Sequence, residues 1–261
     1  MKNNFSILIS SCDNFSDLWN AHFDLLFKNW VGECPPIYLV TDKKTNFSRE
    51  GVNVIIAEGD MPIRIKKSLK DIPTERILVT LDDYFVINKV NGDDIAYLCD
   101  YAKNNAVDYL MLYNRRKAKK RYYKGIDHFS EIDLQKRYAV TLYPAIWKKG
   151  FLDYCIDEEL SPWKFEPTLT GKAKEYNAKC VFSEAGSFEI LDVVRKGQVL
   201  HKADQYFKKH GIDIGNRPLI KGSTEFKFAM MDFIRWHFPR WLFKLLKKIA
   251  KCFGMKFYSE D

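Results

Sequence analysis

The sequence predicts an α/β fold with a mostly parallel sheet flanked by helices, extended at its C-terminal end by a basic amphipathic helical segment. Three observations predict it. Short β-branched and aliphatic runs alternate with amphipathic segments through the first half, as a parallel sheet with crossover helices requires. The central run Arg76-Ile77-Leu78-Val79-Thr80-Leu81 reads as a buried strand and ends in the adjacent carboxylates Asp82 and Asp83. Between Trp241 and Phe253, Lys244, Lys247, Lys248 and Lys251 fall on one helical face, opposite Leu242, Leu245, Leu246 and Ile249.

In chain order, residues 5–11 give a first strand, and Cys12-Asp13-Asn14 a turn in which Asn14 and Asp17 look like a capping pair. A helix runs to about Trp30, with Leu18, Trp19, Phe23 and Leu26 on one apolar face. Pro35-Pro36 breaks the chain before a strand over 37–41 that ends at Asp42. A strand over 52–57 and a basic amphipathic segment over 62–71 precede the central strand. The second half predicts a helix over 93–104, a strand over 108–113, an apolar stretch over 138–142 and a helix over 144–155. Short late strands at 180–182 and 198–200 follow the motif Ser161-Pro162-Trp163-Lys164-Phe165-Glu166, and His201 stands at the end of the last. Tyr143 and Trp147 are aromatics whose helical spacing favours core packing.

At 261 residues and 46% hydrophobic, the chain can bury one sizeable core. The net charge of +8 is uneven. Residues 115–124 carry seven basic side chains and no acid, and residues 226–257 carry eight Lys/Arg against Asp232. The rest of the chain is therefore mildly acidic, with two basic attachments. The six cysteines are scattered singly, which suits reduced thiols better than a disulfide frame or a zinc site. Met1-Lys2-Asn3-Asn4 leads directly into a strand, so no signal peptide is expected, and no run is long enough to span a bilayer.

Neither G-x-G-x-x-G nor G-x-x-x-x-G-K-[ST] occurs, which argues against a dinucleotide-binding enzyme or a P-loop NTPase. Asp82 and Asp83 lie at the rim of the sheet, where α/β proteins place ligands. Carboxylates there need a cation, a sugar hydroxyl or water. Glu166 follows Trp163 and Phe165, and an apolar wall of that kind would raise a carboxylate's pKa towards that of a general base. Glu158 and Glu159 sit in a charged run and are weaker candidates. His22, His128, His210 and His237 form no cluster.

Four stretches together resemble bacterial glycosyltransferases of the GT-A fold that build capsule, exopolysaccharide or lipopolysaccharide repeats. They are Ile-Leu-Ile-Ser-Ser-Cys-Asp-Asn-Phe-Ser-Asp-Leu-Trp over 7–19, Leu-Val-Thr-Leu-Asp-Asp-Tyr-Phe over 78–85, Ala145-Ile146-Trp147, and the motif over 161–166. The resemblance covers roughly residues 5–205 and implies a GT-A, Rossmann-like domain over 1–225, with 226–261 as a membrane-associating tail. It implies that Ser10, Ser11 and Asp13 line a nucleotide pocket, with Arg64 and Lys67 near the donor phosphates. Asp42, on the same sheet edge, caps a turn or joins that pocket. Asp83 would hold a divalent cation, Mn2+ or Mg2+, against the donor diphosphate, with His201 completing the metal or phosphate site. Asp82 would contact sugar or ribose, and Glu166 would be the base of an inverting transfer. Because Asp82-Asp83 is not a clean Asp-x-Asp, metal-independent transfer stays open.

The expected activity is transfer of a sugar from a nucleotide-sugar, a UDP-sugar first, to a polyprenyl-diphosphate-linked glycan acceptor. The expected location is the cytoplasmic face of the inner or plasma membrane, as a peripheral protein. An apolar face opposite lysines is what an in-plane helix on an anionic membrane surface needs, with a kink at Pro239. The segment 115–124, beside Tyr122 and Tyr123, suits lipid headgroups or the acceptor pyrophosphate. Nucleic acid is disfavoured, since no recognition helix or RNA-binding aromatic motif accompanies it. Two other readings stay open. One is a non-catalytic membrane-surface adaptor. The other is a nucleotidyltransferase acting on sugar phosphates, although residues 10–14 lack its usual Gly-rich basic loop.

Overall fold

The computed structural model describes residues 4–43, 46–112, 129–157, 160–183, 188–226, 228 and 230. The chain divides into two compact units, Met1–Asp192 and Val193–Asp261. The basic segment over 115–124 and the tail from 231 onward, with its kink at Pro239, lie outside the described residues.

In the first unit the elements run β1 (Phe5–Ser10), α1 (Ser16–Asn29), β2 (Trp30–Val31), β3 (Ile37–Thr41), β4 (Val52–Ile56), α2 (Met61–Ser68), β5 (Arg76–Leu81), β6 (Tyr84–Val86), β7 (Val90–Asn91) and α3 (Gly92–Asn104). There follow β8 (Tyr109–Met111), β9 (Phe129–Glu131), β10 (Ala145–Lys148), α4 (Lys149–Cys155), α5 (Pro162–Glu175), β11 (Cys180–Ser183) and β12 (Ile190–Asp192). Eight strands form one sheet in the order β4-β3-β1-β5-β10-β8-β11-β9. The block β4-β3-β1-β5 is parallel throughout, and β10 enters antiparallel between β5 and β8.

Side chains alternate across the pleat, so each strand feeds two cores. Ile7, Ile9, Leu39, Leu78, Leu110 and Ile146 pack with Trp19, Phe23 and Leu26 of α1 and Leu98 and Ala102 of α3. Leu8, Val40, Ile77, Val79 and Trp147 pack on the other face with Ile65 of α2, Phe151 and Leu152 of α4, and Phe165 and Leu169 of α5. Fully burying one such side chain is worth about 1.5–3 kcal/mol, and the two faces together fix the strand register. At the start of β5, the buried Arg76 donates to the carbonyls of Val107 and Ala102, tying the α3–β8 connection to the sheet.

Two expectations need correction. Residues 145–148 are strand β10, and the helix begins only at Lys149. A short apolar run buried on both faces carries no periodicity that separates strand from helix. Trp147 is accordingly a core residue, 0% exposed and edge-on to Tyr109 at 4.7 Å. The start of the first helix also moves away from the N-cap expected at Asn14. A 3-10 turn over Asp13–Phe15 intervenes, α1 starts at Ser16, and its N-cap Phe15 offers no side-chain bond.

The second unit contains β13 (Val194–Arg195), β14 (Gln198–Val199) and α6 (His201–His210). β13 and β14 form an antiparallel hairpin, and α6 ends at Gly211, whose φ of +64° suits a left-handed C-cap. The boundary expected at 225/226 falls inside this unit. No helix among the described residues is long and apolar enough to cross a membrane.

Candidate active site at the carboxyl edge of the sheet

Parallel pairing brings the C-terminal ends of β1, β3 and β5 to one edge, with Ser10 in register with both Val40 and Leu81. The residues that follow each strand therefore meet: Ser11 to Asp13, Asp42, and Asp82 to Tyr84. This is where an open α/β sheet offers a crevice. β10 runs the other way, so the residues before Ala145 arrive at the same edge.

One half of the site is built from β1, β3 and α2. Thr41 Oγ1 donates to Asp13 Oδ1 at 2.6 Å, and the Asp13 N–H donates to Asp42 Oδ1 at 2.8 Å. Partial burial pushes the Asp42 carboxyl up, but the Asp13 and Asp42 N–H groups and the charges of Arg64 and Lys43 outweigh it. The result is a pKa below the ordinary carboxylate value. Arg64 is 8% exposed; its Nη1 donates to the Gly59 carbonyl, and its buried Nε has no partner among the described residues. Burial first, and then the Asp82 charge, raise the Cys12 thiol, with Arg64 opposing. Cys12, Asp42, Arg64 and Asp82 thus share one rim. The five described cysteines are free thiols.

Asp82 is 7% exposed and accepts the Ser11 hydroxyl, which in turn accepts Trp19 Nε1 at 2.7 Å. Ser10 is buried beneath it, with its Oγ unpartnered among the described residues. His22, on α1, lies 3.1 Å by its Nδ1 from the Asp82 carbonyl. Burial depresses its pKa to about 4, with that hydrogen bond opposing. Since an unfolded histidine titrates near 6.5, neutral His22 contributes stability that is fully present above pH 6.5. That stability is lost as pH falls towards 4. About 3 kcal/mol of acid destabilisation should follow from this group. Denaturant unfolding at pH 7 and pH 4.5 checks it: His22→Phe should lose clearly less stability over that interval than the natural chain, and equal losses would refute the assignment.

The other half centres on Tyr84, which opens β6. β12 pairs antiparallel with β6 and sets Asp192 opposite Tyr84. Tyr143 stacks on Tyr84 with ring centroids 5.1 Å apart. Burial first, and then Tyr143, Asp83, Asp192 and Glu166, push the Tyr84 phenol well above its ordinary pKa. The charges of three carboxylates thus reach one protonated hydroxyl. Glu166, on α5, accepts the Leu142 N–H at 3.2 Å, and Thr170 one turn on accepts the Val140 N–H at 3.2 Å. α5 thereby holds the loop that carries Tyr143.

The structure thus gathers Ser10, Ser11, Asp13, Arg64, Asp82, Asp83 and Glu166 on one edge. Lys67 stands apart: it is exposed and donates to the Glu58 carbonyl at 2.9 Å. His201 belongs to the second unit, where it begins α6 and its Nδ1 meets Glu225 Oε2. Of the two residues expected to wall Glu166, Phe165, its helical neighbour about 100° round, turns into the core at 0% exposure, and Trp163 is 64% exposed. Asp192 and Tyr84 were missed as site residues. The signal for Asp192 was present in Ile190-Leu191-Asp192-Val193-Val194, a lone carboxylate inside an apolar run.

Among the described residues, no three His, Cys, Asp or Glu side chains form a metal cluster. Asp83, next to Tyr84, and Asp192, across from it, carry hard oxygens of the kind that Mg2+ or Mn2+ takes.

No family model matches the chain, and no curated protein does. Among solved structures, it is similar to S. aureus TarS 1-349, with TM-score 0.50 and 16% identity over 72% of this chain. The alignment spans 59% of the TarS chain, less than two thirds of its length. The same TarS region in complex with UDP-GlcNAc aligns with TM-score 0.49 and 15% identity, over 76% of this chain and 60% of that one. A mannosyltransferase from Pyrobaculum calidifontis in complex with GDP-Man and Mn2+ aligns with TM-score 0.48 and 11% identity, over 98% of this chain and 82% of that one. At such identities the likeness is one of fold, and the fold is GT-A-like: a large, mostly parallel central sheet with helices on both faces.

Proposed function

We propose that the chain is a glycosyltransferase that moves a sugar from a nucleotide-sugar to a hydroxyl of a glycan acceptor. The observation that carries this reading is the pairing, on one sheet edge, of two unlike groups. The Asp13–Asp42–Arg64 rim offers carboxylates and a buried guanidinium to a nucleotide. Asp83, Asp192 and Glu166 around Tyr84 supply the oxygens that a group transfer needs. In the reaction, the acceptor oxygen attacks the anomeric carbon and the bond from that carbon to the diphosphate oxygen breaks. The electron pair leaves with the nucleoside diphosphate, and the acceptor proton passes to Glu166. Tyr84 stays protonated among those charges. A divalent cation held by Asp83 and Asp192 would neutralise the charge that develops on the diphosphate. A single displacement of this kind inverts the anomeric centre.

The finer reading keeps a UDP-sugar as first donor and a polyprenyl-diphosphate-linked glycan as acceptor. The basic stretches over 115–124 and 226–257 would hold the protein at an anionic cytoplasmic membrane face. Thermal stability against nucleoside diphosphates and nucleotide-sugars, each with Mn2+, Mg2+ or EDTA, tests the core of the proposal. One nucleotide at a hundred times its dissociation constant should stabilise by about 2.7 kcal/mol, a shift of roughly 5–10 °C for a chain of this size. EDTA should remove the shift. No shift with any nucleotide, beside firm binding to anionic vesicles, would point to a membrane-surface adaptor instead.

A further inference from the structure

The turn that carries Asp82 and Asp83 lies beyond the sheet edge, where ladder hydrogen bonds no longer hold it. Its tie to β1 is a long bond from the Asp82 N–H to the Ser10 carbonyl, 3.3 Å. β6, which follows at once, pairs only with the three residues of β12 among the described strands. A backbone carbonyl buried at such a corner still requires a donor. For Asp82 the donor comes from a helix: His22 Nδ1, 3.1 Å away.

The surroundings of His22 make that bond its purpose. The residue is 2% exposed, and its ring is held edge-on between Phe23 at 5.5 Å and Phe85 at 5.2 Å. An aliphatic or phenyl side chain would suit this cage at least as well, and burying an imidazole there costs free energy. A carbonyl can only accept, so Nδ1 carries the proton. Nε2 is then a bare acceptor, buried and without a partner among the described residues. What the imidazole adds over a hydrocarbon is one hydrogen bond, aimed at the acid-bearing turn.

α1 repeats the arrangement two turns along the same face. Asn29 Nδ2 donates to the Val86 carbonyl at 2.9 Å, at the far end of the same segment. Trp19, one turn before His22, reaches the Asp82 carboxylate through Ser11. One helix thus grips the segment over 82–86 at both ends and leaves Asp83 and Tyr84 between the grips.

We propose that His22 is a positioning residue: acting through the Asp82 carbonyl, it fixes the turn that presents Asp83 and Tyr84, with Asn29 anchoring the other end. The consequence for turnover rests on the glycosyltransferase reading, whereas the positioning role itself does not. Misplacing a reactive constellation by about 1 Å can cost on the order of a hundredfold in rate.

Asn and Leu have nearly the same shape, so His22→Asn and His22→Leu form a pair that differs chiefly in the donor; His22→Phe keeps the ring. Amide hydrogen exchange over residues 82–86 is measured in all three, with β1 and β5 as internal references. Exchange in that segment should rise about tenfold or more in the Leu and Phe variants, the size expected for a lost buried bond, and stay near the natural level in the Asn variant. Transfer from a nucleotide-sugar should show a lower kcat with little change in KM for the Leu variant, restored by Asn. Equal exchange in Asn and Leu, or a rise spread evenly through β1 and β5, would overturn the proposal. The exchange readout needs no substrate, so it decides the positioning role even where nucleotide-sugar transfer is not found.

Discussion

Asp83→Asn is expected to lower sugar transfer by about a thousandfold and to abolish the metal-dependent part of nucleotide binding, while leaving the protein as stable as before or more so. The two halves of the expectation have one cause. Asp83, Asp192 and Glu166 each set a negative charge within reach of the Tyr84 phenol, and carboxylates that share a site disfavour one another's charged form. Neutralising one of them relieves that repulsion. The same charge is what a divalent cation and a leaving diphosphate require, and a thousandfold corresponds to about 4 kcal/mol of barrier. Asp82 behaves differently. Its carboxylate is almost wholly covered and already receives the Ser11 hydroxyl, so its loss disturbs the rim's structure. Turnover, nucleotide-induced thermal shift with and without EDTA, and the unliganded melting temperature check the expectation together. A variant that keeps full turnover and its EDTA-sensitive shift would remove Asp83 from the site and take the proposed cation with it.

Such a combination of gained stability and lost activity marks a functional group, as opposed to a structural one. It also bears on why some of this site could be read from the chain and some could not. The central strand was legible because its short apolar run, Ile77, Leu78 and Val79, is rich in β-branched residues, as a strand covered on both sides is, and the strand ends in two carboxylates. The place of Asp82 and Asp83 at the sheet edge was legible because they directly follow such a strand. Ala145-Ile146-Trp147 was misread as helix. Its strand character is imposed by β5 and β8 on either side, through pairings with residues far away in sequence. Asp192, a lone carboxylate in an apolar run, comes to lie across from Tyr84 only through the pairing of β12 with β6. His22 shows the limit most clearly. In the sequence it is one polar position on an apolar helix face; its role depends on a backbone carbonyl sixty residues away.

Glu166→Gln should separate chemistry from binding. The substituted amide keeps an oxygen where Oε1 accepts the Leu142 N–H, so the loop carrying Tyr143 stays in place. Thr170, one turn on, continues to hold Val140. The nucleotide rim is built from β1, β3 and α2, without α5, so the thermal shift produced by nucleotide should persist. What disappears is a group able to take a proton from the acceptor hydroxyl, and general-base catalysis is worth about a hundredfold to ten-thousandfold. The expected result is a fall in kcat of that order at nearly constant KM for the donor, since an interaction made only during reaction has been removed. The measurement is steady-state transfer with natural and substituted protein at saturating nucleotide-sugar, alongside the nucleotide thermal shift. If Glu166→Gln keeps more than about a tenth of the activity, the base lies elsewhere, and the geometry names its replacement. Asp192 is the remaining carboxylate at Tyr84 that the diphosphate side does not claim alone, and Asp192→Asn would then carry the loss. A fall in binding as large as the fall in kcat would instead mean that Glu166 works by holding the loop over 140–143, as a positioning group.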